Sequence, residues 1–291
     1  MGGVLSDWPA EVPSTERAIS SLVEVSWAQK LLGKLEQAGG VLEANAPLLF
    51  EVRFAFELHN EGGTAEYEYA TGLGETTVDF RIPASVEWLV ELVSVRESKA
   101  TIGASIDDGT YFGLILNSVP GRDSKESEAG EMLLVQQKIG EKVYTDKQTK
   151  FPPPTANKFH MIVVDMRGYL GGIPVVDHFD YRQIAGGSNQ VPDHCVQFWR
   201  DEPIKGLFEI GNPLRSASFM RDRVHFLAFV REELYTTGEI PGIIRFFANP
   251  HLFRDGEEAK AALSSFPVRR RPSAPLSREE GATVTKSSTP L

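Results

Sequence analysis

The chain has a single cysteine, Cys195, in 291 residues. A lone cysteine excludes an intramolecular disulfide and any cysteine-rich zinc site, and it suits a reducing cytoplasm. Long hydrophobic runs are also missing. No apolar stretch approaches the roughly 20 residues that span a bilayer, so no membrane partner is expected. The opening segment, MGGVLSDWPAEVPSTER, lacks the basic-then-apolar order of a secretory signal. MGGVLS fits the loose myristoylation pattern through Gly2 and Ser6, but a flexible leader over residues 1–15 is the simpler reading of so short a match. Positive charge is in deficit, with 30 Lys+Arg against 40 Asp+Glu and a formal net charge of −10. That balance argues against a large nonspecific nucleic-acid surface, because backbone affinity comes mainly from neutralised phosphates. The clearest basic cluster, Arg269-Arg270-Arg271, lies in a Ser/Thr/Pro/Gly-rich tail over 267–291 that reads as disordered.

Familiar catalytic motifs are absent as well. No serine sits in a G-x-S-x-G context. GLGETT at 72–77 lacks the lysine of a phosphate-binding loop and reads as a hairpin turn. His194 and Cys195 are adjacent, and neighbouring side chains of a strand point apart, so they make no dyad. Asp177, His178 and Asp180 form a D-H-x-D cluster, which reads as loop acids in solvent more readily than as a metal site.

What is present is an ordinary globular composition, 41% apolar and 24% charged. One α/β domain over 16–266 accommodates it, with a core at about 48–166 and additions over 167–266. Residues 16–38 read as a helix through Leu22, Trp27, Leu31, Leu32 and Leu35. LLFEVRFAFELHNEGG, from Leu48, reads as a helix ended by Gly62-Gly63. AEYEYA, VDFRIP, VEWLVELV and FHMIVVDM read as strands, and 131–151 as a further helix. TYFGLILNSV, RVHFLAFVREEL and GIIRFFANP offer more strands, and GRDSKESEAG is polar and expected to lack order.

Four polar groups interrupt apolar patterns. Glu91 is the one polar side chain in Trp88–Val93, a run apolar on both faces, as a central buried strand should be. Asp79 sits on the preceding strand, where the alternative reading is an exposed edge hairpin with Asp79 and Arg81 in solvent. Two carboxylates on paired strands repel one another unless a cation lies between them, which is how a hard ion such as Mg²⁺ or Mn²⁺ is held. Glu51 shares a helical face with Leu48, Ala55 and Leu58. It is either paired with an arginine such as Arg53 or Arg81, or aimed into a site. Gln136 falls in the stripe of Met132, Val135, Ile139 and Val143, with Lys142 on its border and Lys138 further out. A buried amide there needs a partner, either in a site or at a backbone carbonyl.

In order, the pattern is helix with Glu51, strand, strand with Asp79, strand with Glu91, helix with Gln136, strand. This resembles the core of the PD-(D/E)XK, or restriction-endonuclease-like, superfamily over about 48–166. The resemblance implies a mixed central sheet flanked by helices and a nuclease activity using Mg²⁺ or Mn²⁺. It implies Asp79 and Glu91 as metal ligands, with the Leu92 carbonyl as a third, and Glu51 and Gln136 in support. The family's lysine would fall at Val93, and Val78 stands where its proline would be. Lys138 or Lys142 is expected to cover for the lysine, with Arg81 as a phosphate clamp in reserve. Three readings follow: an active nuclease with a nucleic-acid partner; an inactive member of the fold that binds or scaffolds, with a protein partner; or an unrelated α/β domain whose acids form a structural ion-pair network.

Overall fold

A computed structural model describes residues 8–96, 98–107, 112–114, 128–145, 148–169, 179–186, 204–230, 240 and 244–268. The helices are α1 (Trp8–Leu22), α2 (Gln29–Gln37), α3 (Ala46–Asn60), α4 (Lys99–Ala104), α5 (Glu128–Val143), α6 (Phe179–Ala185), α7 (Arg215–Arg223) and α8 (Gly256–Ser264). The strands are β1 (Glu66–Ala70), β2 (Thr77–Ile82), β3 (Glu87–Ser94), β4 (Ser105–Asp107), β5 (Phe112–Leu114), β6 (Tyr144–Thr145), β7 (Gln148–Thr149), β8 (Lys158–Asp165), β9 (Phe226–Val230) and β10 (Ile244–Ala248).

Six strands make one mixed sheet in the order β1-β2-β3-β8-β9-β10. The β1-β2-β3 meander is antiparallel. β8 then joins β3 in parallel, β9 joins β8 in parallel, and β10 closes the far edge antiparallel to β9. The strand-rich C-terminal segments therefore extend the same sheet.

Side-chain alternation along the central strands builds two cores, one on each face. Trp88, Val90, Leu92, Met161 and Val163 meet α1, α2, α3 and α8 on one face. Leu89, Val93, Ile162 and Val164 meet α5, α6 and α7 on the other. Glu91 has the parity of Leu89 and Val93, so it faces the α5 layer.

The β1-β2 ribbon breaks this parity. Tyr67 and Phe80, paired across the ribbon, pack in the first core, whereas Val78 lies in the second core and Tyr69 packs against it. Two residues along a regular strand should stay on one face. The inversion falls at Glu68, whose φ is 50°, and opposite it at Asp79. Left-handed backbone at a non-glycine residue is uncommon, and here it coincides with a switch of the ribbon from one face to the other.

The end of α3 follows the sequence closely. Gly62 has φ 75°, its N–H bonds the His59 carbonyl, and Gly63 N–H bonds Leu58. This is the two-bond closure that a glycine pair permits.

Several expectations change. α1 starts at Trp8 and buries Thr15, so part of the expected leader is helix. The helix expected over 16–38 is two helices, because Val25 is extended (φ −85°, ψ 106°) and Gln29 Nε2 donates to the Val23 carbonyl at 2.6 Å. The helix expected over 131–151 ends at Val143, where β-favouring Tyr144 and Thr145 turn the chain into the β6-β7 hairpin. Of TYFGLILNSV, Phe112–Leu114 pairs with β4, and the rest lies outside the described residues. Also outside them are Gly2, Ser6, Asp177, His178, His194, Cys195, the polar segment 121–127 and Arg269, Arg270 and Arg271. Asp180 is described; it is buried and accepts a 2.7 Å bond from the Tyr169 hydroxyl. Among the described residues no helix is long and apolar enough to cross a membrane.

Candidate functional site

At the C-terminal end of β3 the sheet opens into a cavity of about 420 Å³. Pro47, Phe50 and Glu51 of α3 form one wall, and Lys138, Glu141 and Lys142 of α5 form the other. Leu92, Val93 and Ser94 form the floor, and Lys150 closes one side. The carboxyl ends of parallel strands are where α/β sheets commonly place ligands.

Glu91 lies just beneath this cavity with no exposed surface. Its Oε1 accepts from Lys142 Nζ at 2.9 Å and from Lys150 Nζ at 2.7 Å. Its Oε2 is buried with no hydrogen-bond partner. The two ammonium neighbours pair a buried carboxylate that would be costly to leave alone. Two lysines from other elements thus stand beside Glu91, where Val93 offers none. Lys142 was expected for that role. Lys150 was not: assigned to a continuous helix, it would lie about 12 Å along the axis from Lys142. The β6-β7 hairpin folds it back, with Lys150 N–H bonded to the Val143 carbonyl at 3.0 Å.

Asp79 sits where β2 separates from β3. The last paired residues are Phe80 and Val90; the same register continued by one step would set Asp79 against Glu91. Instead the Asp79 side chain substitutes for backbone pairing, and Oδ2 accepts from Leu92 N–H at 2.6 Å. A strand residue presents its N–H and C=O to the same side, so the Leu92 carbonyl also faces β2. Burial raises the Asp79 carboxyl, and the charges of Glu91 and Glu51 raise it further, to about 8; Lys142 and the Leu92 N–H pull the other way.

Glu51 completes the acid cluster from α3. Its Oε2 accepts from the Tyr67 hydroxyl at 2.5 Å, and that hydroxyl in turn accepts from Lys34 Nζ at 3.1 Å. Neither arginine weighed for Glu51 is its partner. Burial raises the Glu51 carboxyl above the ordinary range, against the lowering effects of Tyr67, Lys34 and Lys142. The Tyr67 phenol is raised by burial and by the charge of Glu51. Lys142 is burdened by burial yet held above the ordinary lysine range, because Glu91, Asp79 and Glu51 all act on it. Three carboxyl groups and one ammonium therefore form a single electrostatic unit, and the sequence had marked all four.

Gln136 stands apart. It is absent from the cavity wall, and its amide ties α5 to the segment beside it. Nε2 donates to the carbonyls of Lys205 at 3.0 Å and Ile184 at 3.3 Å, and Oε1 accepts from Asn212 Nδ2 at 3.3 Å. The expected place of Gln136 beside the acids is corrected: its partners are the Lys205 and Ile184 carbonyls and the Asn212 amide. Lys138 lines the cavity; burial first, and then the charge of Arg96, lower its pKa, while Glu131 and Glu141 oppose them. Arg81 is drawn to the other end of the hairpin, bonding Glu87 at 2.6 Å and also Glu66, so it does not serve the cavity.

The donor set suits a hard cation. It consists of oxygen donors: Asp79, Glu91, the Leu92 carbonyl and, next to them, Glu51. Mg²⁺ commonly takes one or two carboxylates and keeps several waters, and Glu91 Oε2 is a buried acceptor without a donor. Among the described residues no group of three or more His, Cys, Asp or Glu side chains is gathered in a way that could hold a metal ion.

Compared with protein-family models, curated proteins and solved structures, the chain matches none.

Proposed function

We propose that the protein is a metal-dependent phosphodiester hydrolase with a restriction-endonuclease-like fold, acting on nucleic acid. The observation that carries this reading is the arrangement on Glu91. A fully buried carboxylate on the central strand has two lysines on one oxygen, a free second oxygen, and Asp79 at the point where its neighbour strand peels away. The order of elements adds support: helix α3, antiparallel β1-β2-β3, helix α5, and β8 parallel to β3.

In this reading Asp79, Glu91 and the Leu92 carbonyl would hold Mg²⁺ or Mn²⁺. The ion would supply Lewis acidity to a phosphate oxygen and favour ionisation of the attacking water. Glu51, oriented by Tyr67, accepts a proton or positions a water at the cavity edge. The ammonium beside Glu91 faces charge as it builds on the phosphate, where fixed cations act most strongly. Lys138 gives the wall a further positive group on an otherwise acidic chain, so phosphate contact is confined to the cavity.

A second reading is favoured by one observation: neither Asp79 nor Glu91 lines the cavity, and both lysines bond the same Glu91 oxygen. An inactive member of the fold, acting as a binding or scaffold protein, would keep such a network for stability alone. Cleavage of labelled single- and double-stranded DNA and RNA, with and without Mg²⁺ or Mn²⁺, separates the two. The expected result is metal-dependent cleavage by the parent, abolished in Asp79→Ala and Glu91→Ala while both variants stay folded. Equal cleavage by Asp79→Ala rules out the site. No cleavage by the parent with any metal transfers the conclusion to the binding reading.

A further inference from the structure

Two ammonium groups on a single carboxylate oxygen exceed what one buried negative charge needs. Both approach Glu91 Oε1, at 2.9 Å for Lys142 and 2.7 Å for Lys150. Their surroundings differ. Lys142 comes from α5 and lies among all three acids, being the cation that acts on Glu51 and Asp79 as well as Glu91. That is where an ion shared by those carboxylates would sit. Lys150 comes from the β6-β7 hairpin, pinned by its own N–H to Val143, and the next residue is fixed by Arg223, which donates to the Phe151 carbonyl at 2.8 Å.

The two lysines also differ in freedom to leave. Both line the cavity, but the Lys142 side chain is 36% exposed against 26% for Lys150, so a rotation of its flexible stem takes the ammonium into the open space more readily. A divalent ion added beside both ammonium groups raises the repulsion steeply at short range and low dielectric, which favours the departure of one lysine.

Building on the nuclease reading, we propose that the Lys142 ammonium is a built-in occupant of the cation position. A divalent ion enters by displacing it from Glu91, and Lys150 remains on Glu91 as the lysine of the loaded site. The four-carbon stem of Lys142 then reaches the cavity, where its charge meets substrate phosphate. Lys150 takes the position beside Glu91 that Val93 leaves without a lysine.

The test is Mn²⁺ affinity at fixed pH, measured by calorimetry and by the electron paramagnetic resonance signal of free Mn²⁺, with no substrate present. The proteins are the parent, Lys142→Met, Lys142→Arg and Lys150→Met, each checked for folding by circular dichroism. Removing the competitor in Lys142→Met should tighten Mn²⁺ binding by about tenfold or more. Lys142→Arg, whose planar group grips a carboxylate with two bonds, should weaken it by a similar factor. Lys150→Met should change it by less than about threefold. Should Lys142→Met fold poorly, Lys142→Gln carries the same expectation.

If the parent binds Mn²⁺ and Lys142→Met binds it no better, the displacement is overturned while the nuclease reading stands. If Lys150→Met tightens binding as much as Lys142→Met, the division of roles is overturned. Binding by Lys142→Met but not by the parent upholds Lys142 as the occupant and refutes the parent as a metal enzyme. Binding by neither overturns both.

Discussion

Asp79→Asn should make the metal-free protein more stable at neutral pH and should remove a pH dependence. The Asp79 carboxyl in the folded chain is raised to about 8 by burial and by Glu91 and Glu51, against about 3.9 in an unfolded chain. Between those two values the folded state holds a proton that the unfolded state has lost. Stability then falls as pH rises, by up to about 1.4 kcal/mol per pH unit. The contribution is fully present below about pH 4 and is lost as pH climbs through about 8. From pH 5 to pH 7 the loss amounts to about 2–3 kcal/mol. Part of the side chain meets solvent, so that figure is an upper value. Asparagine keeps an oxygen for the Leu92 N–H and has no charge to lose. Thermal melts of both proteins in chelator across this range should show a gap in melting temperature that widens by roughly 5–10 °C toward pH 7. The two chains share every other titrating group, so the difference isolates position 79. Parallel profiles for parent and variant would refute the assignment of repulsion and burial to Asp79.

The remaining expectations concern the scaffold. His160 and His225 are buried and lowered by desolvation to about 3 and about 4. Their folded pKa values lie below the unfolded value of about 6.5, so they contribute stability above that pH and lose it as pH falls toward 4. Urea titrations should show a midpoint that drops on acidification through this window, with a shallower drop in His225→Phe; an unchanged slope in that variant would count against the histidine origin. Gln136→Leu should destabilise the fold by about 1–2 kcal/mol, because its bonds to the Lys205 carbonyl and the Asn212 amide are lost while those two groups keep their bond to one another. Its Mn²⁺ affinity should equal the parent's, and a large loss of affinity would return Gln136 to the site.

Much of the site was legible in the sequence because charge inside an apolar pattern is conspicuous. Glu91 in Trp88–Val93, Glu51 in the α3 stripe and Lys142 at the border of the α5 stripe were marked by local periodicity alone, and the three meet in space. The order of helix, three strands, helix and strand was read the same way, as was the glycine closure of α3. Gln136 carried the same mark and meant something else. Periodicity reports that a polar group is buried, while only packing decides what satisfies it, and for Gln136 that is backbone from distant segments.

Other features depend on tertiary structure in a stronger sense. Lys150 sits in a polar stretch with no pattern to mark it, and it reaches Glu91 because the helix ends at Val143 and a two-strand hairpin reverses the chain. The inversion of the β1-β2 ribbon at Glu68 and Asp79 has no local signature either, since glutamate does not favour positive φ. It arises because Tyr67 and Phe80 are drawn into one core while Tyr69 and Val78 pack on the other side. Sequence by itself determined which residues must be buried and which of those carry charge. The tertiary structure decided which charges face one another, because that depends on strand register and helix ends set by the packing of both sheet faces at once.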